Sequence, residues 1–493
     1  MKHQKKAVVI GAGIAGIAAS IRLAHAGFQV TVLEANSYAG GKLTTISDKG
    51  YRFDAGPSLF TMPQLIEDLF KLTQKDIKHY FEYIKLPDIC RYFYEDGTQL
   101  TAWADKKRFA AEVQEKLGEP ADKILSFLQS SAEKYDLVGE LFLTKSMHQF
   151  STFFNVKAFK AYLKLPFLGL FSTMNAANEA TFRSTKTVQL FNRYATYNGS
   201  NPYETPALMN VIPHLEYNIG AFFPKNGMYG ITQAVVQLAK DLGVTFIFNE
   251  KVEKIITKNQ QAIGVKTATQ SYYADVIVCN MDMVNAYKTI LKDEKQPEKL
   301  LKQPKSSSAL IFYWGIERNF PELLLHNIFF SENYKAEFDA IFKQKTIYKD
   351  PTVYINISSK HAPLDAPQGC ENWFVMINVP NNEGQNWDKL ISESRTTILK
   401  KISRNLKTDI EPLIATEQIL EPRTIELRTS SAQGALYGNS ANNRYAAFLR
   451  HANYSPYLKR LYFCGGSVHP GGGIPLALLS AKIATDFIQK DIN

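Results

Sequence analysis

The chain has 493 residues, enough for about three domain-sized units or two large interleaved ones, and it needs no disulfide staples to bury a core. Its 45% apolar and 21% charged residues exclude a disordered or collagen-like polymer. A formal charge of +10 favours acidic partners, but no zinc-finger spacing, RNP motif or long basic block supports nucleic acid.

The start resembles a signal peptide. Lys2, Lys5 and Lys6 precede a mostly apolar run from Ala7 to Ile21, and Ala18-Ala19-Ser20 looks like a cleavage site. That reading leaves the glycines unexplained. AVVI (7–10) is a β-branched strand, and Gly11, Gly13 and Gly16 follow it as G-x-G-x-x-G. A helix is predicted from Ile14 to Ala26, and a second strand over 28–34 ends on Glu34. Gly11 permits the tight turn, Gly13 lets backbone approach a pyrophosphate, and Gly16 lets helix and strand pack closely. Gly13, Ile14 and Ala15 open a helix whose unpaired N–H groups favour phosphate. Glu34 can accept ribose hydroxyls, and its charge disfavours a 2′-phosphate.

Asn36 to Lys42 (NSYAGGK) and Gly50 to Ser58 (GYRFDAGPS) come next. Here the chain resembles the FAD-dependent amine oxidase and phytoene desaturase superfamily, which carries E-x6-G-G-R and then G-x-x-F-D-x-G-P. The resemblance implies FAD as cofactor and extends the cradle to Ala35, Gly41, Lys42, Gly56, Pro57 and Ser58. Lys42 stands where the family has Arg, which keeps the charge but loses bidentate contact.

CRYFYEDGTQLTAW (90–103) reads as a hairpin around Asp96-Gly97. Residues 104–140 have helical spacing, and an apolar, aromatic region runs from about 147 to 173. If 153–165 is helical, Lys157, Lys160 and Lys164 share one side of an otherwise greasy helix. This is either a membrane-surface door or a core helix with a solvated face. Arg183 and Arg193 follow; each either shapes a substrate cavity or forms a surface salt bridge.

Phe223 to Met228 leads into a predicted helix (231–241). Strands are predicted over 244–249, 252–256 and 272–280, then near 309–315, 352–357 and 373–379, with a helix around 386–404. The first of these segments resembles the family's P-x-G-G-M helix and following strand, which implies that Val252 lies near the adenine.

LYFCGG (461–466) is a strand running into glycines, continued by SVHPGGGIP (467–475) and an amphipathic helix over 476–490. Gly465, Gly466, Gly473 and Ile474 aim backbone and a helix start at a ligand, and Pro475 suits the first helical turn. The string His469-Pro470-Gly471, Gly473-Ile474-Pro475 and Ser480-Ala481-Lys482 resembles bacterial-type carotenoid desaturases. Together with RYATYNGSNPYETPA (193–207), it points to their hydroxycarotenoid 3,4-desaturase branch. His469 is either a base beside the flavin or a turn residue satisfying loop backbone.

The fold implied is α/β. A Rossmann-like FAD-binding domain (1–75, 220–300 and 455–493) is threaded through an α+β substrate and membrane-contact domain (76–219 and 301–454). The function implied is FAD-dependent carotenoid desaturation. Alternatives are phytoene desaturation, another amine oxidase-like flavin reaction, or a non-catalytic isoprenoid binder of the GDP-dissociation-inhibitor type. Dioxygen and a quinone are the candidate electron acceptors. No stretch is long enough to cross a bilayer, so the expected location is cytoplasmic and peripheral on the inner face of the membrane. Cys90, Cys279, Cys370 and Cys464 read as free thiols, and the nine histidines show no metal-ligand spacing.

Overall fold

A computed structural model describes residues 4–143, 145, 146, 148, 169–442 and 450–492. Five strands form one wholly parallel sheet in the order Leu461–Phe463, Val276–Cys279, Lys6–Ile10, Gln29–Leu33 and Thr245–Ile247. Such a sheet is covered on both faces, and its central strands are accordingly near-continuous runs of Val and Ile.

On one face, helix Ile14–His25 packs against helices Tyr229–Asp241 and Ile474–Ile492. Small side chains permit this close approach: Ala15, Gly16, Ala18, Ala19 and Ser20 are all buried. On the other face, Val252, Ile255, Ala262 and Val265 of a three-stranded sheet meet Val8, Ile10, Ile277 and Cys279.

The run read as one strand over 272–280 is two. Ser271–Tyr273 ends the three-stranded sheet, and Val276–Cys279 joins the parallel one. Asp275 makes the transfer: its carboxylate accepts from Lys6 N at 2.7 Å and its own N–H donates to Lys6 O at 2.9 Å. The helical stretch 104–140 also divides, into Lys106–Leu117 and Ala121–Leu143. Gly118 takes φ 72°, and Pro120 cannot continue the helix.

The largest sheet has seven strands: Ile414–Leu420, Ser308–Ile316, Glu371–Val379, Val353–Asn356, His326–Phe329, Asp88–Phe93 and Gln99–Trp103. The predicted hairpin thus supplies its far edge. One face buries Phe312, Trp314, Trp373 and Val375 with Ile398 and Ile402 of helix Trp387–Leu406. The opposite face sets Ile311, Tyr313 and Phe374 against Tyr51, Phe53 and Ala55. The registers put Tyr354, Asn356, His326 and Tyr92 on that same opposite face, further across the sheet. Residues 149–168, where Lys157, Lys160 and Lys164 fall, lie outside the described residues.

Candidate flavin cradle and buried polar cluster

Two glycine loops meet at the carboxy ends of the parallel strands. In the first, Gly11 takes φ 95° to turn out of its strand. A Cβ on Gly16 would lie 2.2 Å from Gly11 O, so no other residue fits there while helix and strand stay this close. Gly13 is the helix N-cap and offers no side-chain cap, which leaves the first-turn N–H groups without internal acceptors. A Cβ on Gly41 would come 3.4 Å from Gly13 Cα, so the G-G pair after the second strand lies directly over the first turn.

Glu34 is buried and organises this turn. Its Oε2 accepts from Ala12 N at 2.7 Å, while Oε1 accepts from Asn36 N at 2.8 Å and Asn36 Nδ2 at 2.9 Å. Ala35 beside it is exposed, and Val252 is buried against Leu33. Gly56 passes under the backbone of Lys42, where a Cβ would overlap its carbonyl oxygen. Ser58 follows Pro57, and its hydroxyl hydrogen-bonds Tyr354 OH at 2.7 Å. Lys42 Nζ donates to Ala435 O and Leu436 O at 3.2 and 2.7 Å. Burial lowers its pKa to about 8, against the pull of Asp282.

The second loop runs from Gly465 to Ile474. Gly466 and Gly472 face one another so closely that a Cβ on Gly466 would sit 3.2 Å from Gly472 Cα, whereas Gly473 opens onto free space. Asn280, at the end of a central strand, joins the two loops. Its Nδ2 donates to Cys464 O at 3.1 Å, and its Oδ1 lies 2.6 Å from where a Cβ on Gly13 would be. Asn453 holds the second loop through Ser480 Oγ at 2.9 Å and His469 O at 2.8 Å. Arg450 donates to Gly466 O at 3.2 Å and Tyr437 O at 2.8 Å. Asn280, Asn453 and Arg450 were not singled out from sequence. A lone Asn or Arg outside a glycine motif carries no local signal of what its side chain will tie.

His469 is buried, and its Nε2–H donates to Lys145 O at 2.9 Å. Burial depresses its pKa to about 4, so the ring is neutral at pH 7 with its one proton already engaged. Arg183 is exposed, and its main-chain N–H donates to Glu119.

Arg193 is buried in a cage of aromatic rings. Its guanidinium carbon lies 4.2 Å from the Tyr194 centroid and 5.2 Å from that of Tyr92, and its Nη2 donates to Glu216 at 3.0 Å. Tyr194 and Tyr197 also donate to Glu216; burial pushes both phenols well above their usual range, which keeps them as donors. Nearby, on the same sheet face, His326, Tyr354 and Asn356 form a second hydrogen-bonded group.

The fit to a dinucleotide is physical. An uncapped helix start at Ile14, glycines where a side chain would collide, and a buried acid at the end of the second strand fit an adenosine-diphosphate cradle. This architecture defines an α/β dinucleotide-binding protein. The model of the family described as flavin containing amine oxidoreductase matches residues 14–488. The chain is 53% identical to a 1-hydroxycarotenoid 3,4-desaturase of Flavobacterium sp. (strain P99-3), covering 98% of this chain and 99% of that one. It is 33% identical to a 4,4'-diapolycopene oxygenase of Methylomonas sp., over 99% of each chain. A solved putrescine oxidase variant superposes with a TM-score of 0.67 at 14% identity over 99% of both chains, which speaks to the fold alone. The chain belongs to the flavin-containing amine oxidoreductase family. It is an FAD-dependent oxidoreductase.

Proposed function

We propose that this chain is a carotenoid desaturase that introduces the 3,4 double bond into a 1-hydroxylated carotenoid. The observation that carries this reading is the 53% identity, end to end, with the Flavobacterium 1-hydroxycarotenoid 3,4-desaturase. FAD, when bound, supplies a hydride acceptor for the oxidation. In this reading Gly11, Gly13, Ile14, Ala15 and Gly16 face the pyrophosphate. Glu34 with Ala35 takes the ribose, Val252 lines the adenine, and Gly41, Lys42, Gly56, Pro57 and Ser58 close over the cofactor. Gly465, Gly466, Gly473 and Ile474 would hold its flavin end at a helix start, whose partial positive charge favours negative charge there. Arg193 belongs to the substrate side and Arg183 to its rim. His469 holds the glycine loop in place, because its proton is committed to a carbonyl. Segments 1–75, 220–300 and 455–493 serve the cofactor, and 76–219 with 301–454 serve the substrate.

Cells supplied with 1-hydroxylated acyclic carotenoids and expressing this chain should yield pigment absorbing at longer wavelength, because conjugation lengthens. An unchanged spectrum with those precursors, together with conversion of phytoene, would reassign the chain to phytoene desaturation.

Peripheral membrane contact through residues 147–173, on the inner face, completes the proposal. No helix among the described residues is long and apolar enough to cross a bilayer. A carotenoid leaving lipid for water would lose ~0.8 kcal/mol per exposed CH₂, so transfer directly from bilayer to protein is favoured. Lys157, Lys160 and Lys164 could each contribute ~1 kcal/mol near anionic lipid. Changing all three to Glu should at least halve flotation with anionic liposomes while flavin content stays unchanged. Undiminished flotation would place the contact elsewhere.

A further inference from the structure

Asn356 decides the tautomer of His326. One Nδ2 proton of Asn356 goes to Leu325 O at 3.1 Å, which can only accept; this fixes the amide orientation. The same nitrogen lies 3.2 Å from His326 Nδ1 and presents its other proton to it. Nδ1 is therefore the acceptor, and the ring carries its single proton on Nε2. Tyr354 OH, 2.7 Å from the same Nδ1, shares that nitrogen's single lone pair with Asn356 in a three-centre bond, and Ser58 Oγ–H then donates to Tyr354.

The remaining atom is the unusual one. His326 is 3% exposed, and its Nε2 has no hydrogen-bond partner among the described residues. Burial lowers the ring's pKa to about 3, with Arg193 acting in the same direction, so it stays neutral. A buried N–H with no acceptor is costly, and native proteins keep few of them. Arg193 Nε is likewise buried and unpartnered, and its charge acts on His326 and Tyr354 alike. The hydroxyls of Tyr92 and Tyr217, beside Arg193, are also buried without partners, and Glu216 balances the Arg193 charge; a neutral, largely aromatic cluster with several unanswered polar atoms suits the hydroxyl of a ligand.

Place agrees with chemistry. His326 lies two hydrogen bonds from Ser58, at the edge of the proposed cradle, on the sheet face against which Tyr51, Phe53 and Ala55 pack. In a 1-hydroxycarotenoid oxidised at C3–C4, a single methylene separates the hydroxyl-bearing carbon from C3. The group that recognises the oxygen must therefore sit beside the reacting bond, not at the far end of a long cavity.

We infer that His326 donates from Nε2 to the oxygen of the substrate's C1 hydroxyl and so selects hydroxylated over unhydroxylated carotenoids. This inference rests on the substrate reading above. A site built to donate to a hydroxyl discriminates against the analogue lacking it, because the buried donor is then left unpaired.

The test compares kcat/KM for a 1-hydroxylated acyclic carotenoid with that for its unhydroxylated counterpart, in flavin-loaded wild type and three variants. His326→Phe removes the donor, and His326→Asn is too short to place one. Each should lower the ratio of kcat/KM for the hydroxylated to the unhydroxylated substrate by about tenfold, whatever happens to the two separate rates. His326→Gln puts an amide N–H near the Nε2 position and should retain the preference. Flavin absorbance reports folding, and the Asn variant decides the matter if the Phe variant does not fold. An undiminished preference in the folded variants overturns the inference and leaves the desaturase reading intact. It would assign Nε2 a bound water instead. A wild type without any preference for the hydroxylated substrate overturns both.

Discussion

A Gly13→Ala protein will fold yet purify flavin-poor: if the methyl group removes about 1.4 kcal/mol or more of binding, Kd rises about tenfold or more and the variant is mostly empty at FAD concentrations near the wild-type Kd. The methyl has two neighbours to contend with. One is the approaching pyrophosphate, for which the glycine leaves backbone exposed. The other is Asn280, whose Oδ1 would be 2.6 Å away. The two effects separate in a double variant. Asn280→Ala removes the internal collision, so Gly13→Ala with Asn280→Ala should remain flavin-poor if the cofactor itself needs the space. Restored flavin in the double variant would make Gly13 a packing glycine only. Wild-type flavin content in the single variant would refute the cradle assignment outright. Flavin released by denaturation and quantified against protein is the measurement.

The protein should also lose stability steeply on acidification. Three buried histidines have pKa values depressed by desolvation: His326 to about 3, and His451 and His469 to about 4. Burial keeps each neutral, and in His326 and His451 a second ring proton would also displace a hydrogen bond that the ring accepts. His451, for example, uses Nδ1 on Ala452 O and Nε2 on Tyr287 OH. In the unfolded chain these rings titrate near 6.5. Below that pH the unfolded state binds protons that the folded state refuses, so unfolding is favoured as pH falls. Their contribution is complete above 6.5 and is lost progressively as pH drops toward 4. Each ring accounts for about 1 kcal/mol per pH unit in that window. Urea midpoints at pH 7, 6 and 5 should fall accordingly. His451→Gln should flatten the slope by one ring's share, since burial lowers the pKa of His148, His214 and His361 as well. A pH-independent midpoint across this range would show that the rings take up protons without unfolding.

The parts of the molecule legible from sequence are those with a local cause. The first strand, turn, helix and second strand were readable because glycine spacing, a β-branched run and helical periodicity each act over a few residues. The Asp96-Gly97 hairpin and the amphipathic helices were readable for the same reason. What escaped was decided by contacts distant in the chain. His326–Phe329 has only four residues and no period to detect, and it becomes a strand by pairing with segments near 91 and 355. Ile414–Leu420 is a polar edge strand held by Ser308–Ile316. Residues 272–280 show an unbroken β pattern because both halves are strands; only the position of the two sheets reveals the step between them. At the site, the glycines signalled themselves, whereas Asn280, Asn453 and His326 did not. Their roles come from neighbours between 10 and about 270 residues away in the chain.

The parallel sheet has a consequence for the order in which the chain is made. Its central strand Lys6–Ile10 is made about 450 residues before Leu461–Phe463, which finishes the sheet, and helix Ile14–His25 is covered by Tyr229–Asp241 and then by Ile474–Ile492. At about 5–20 residues per second, the amino-terminal helix waits on the order of tens of seconds for its last partner. Until then the side that meets Ile474–Ile492 lacks its native cover, while the side that meets Tyr229–Asp241 can be covered about midway. The second glycine loop emerges about 450 residues after the first, so the two halves of the proposed cradle can come together only once both are made.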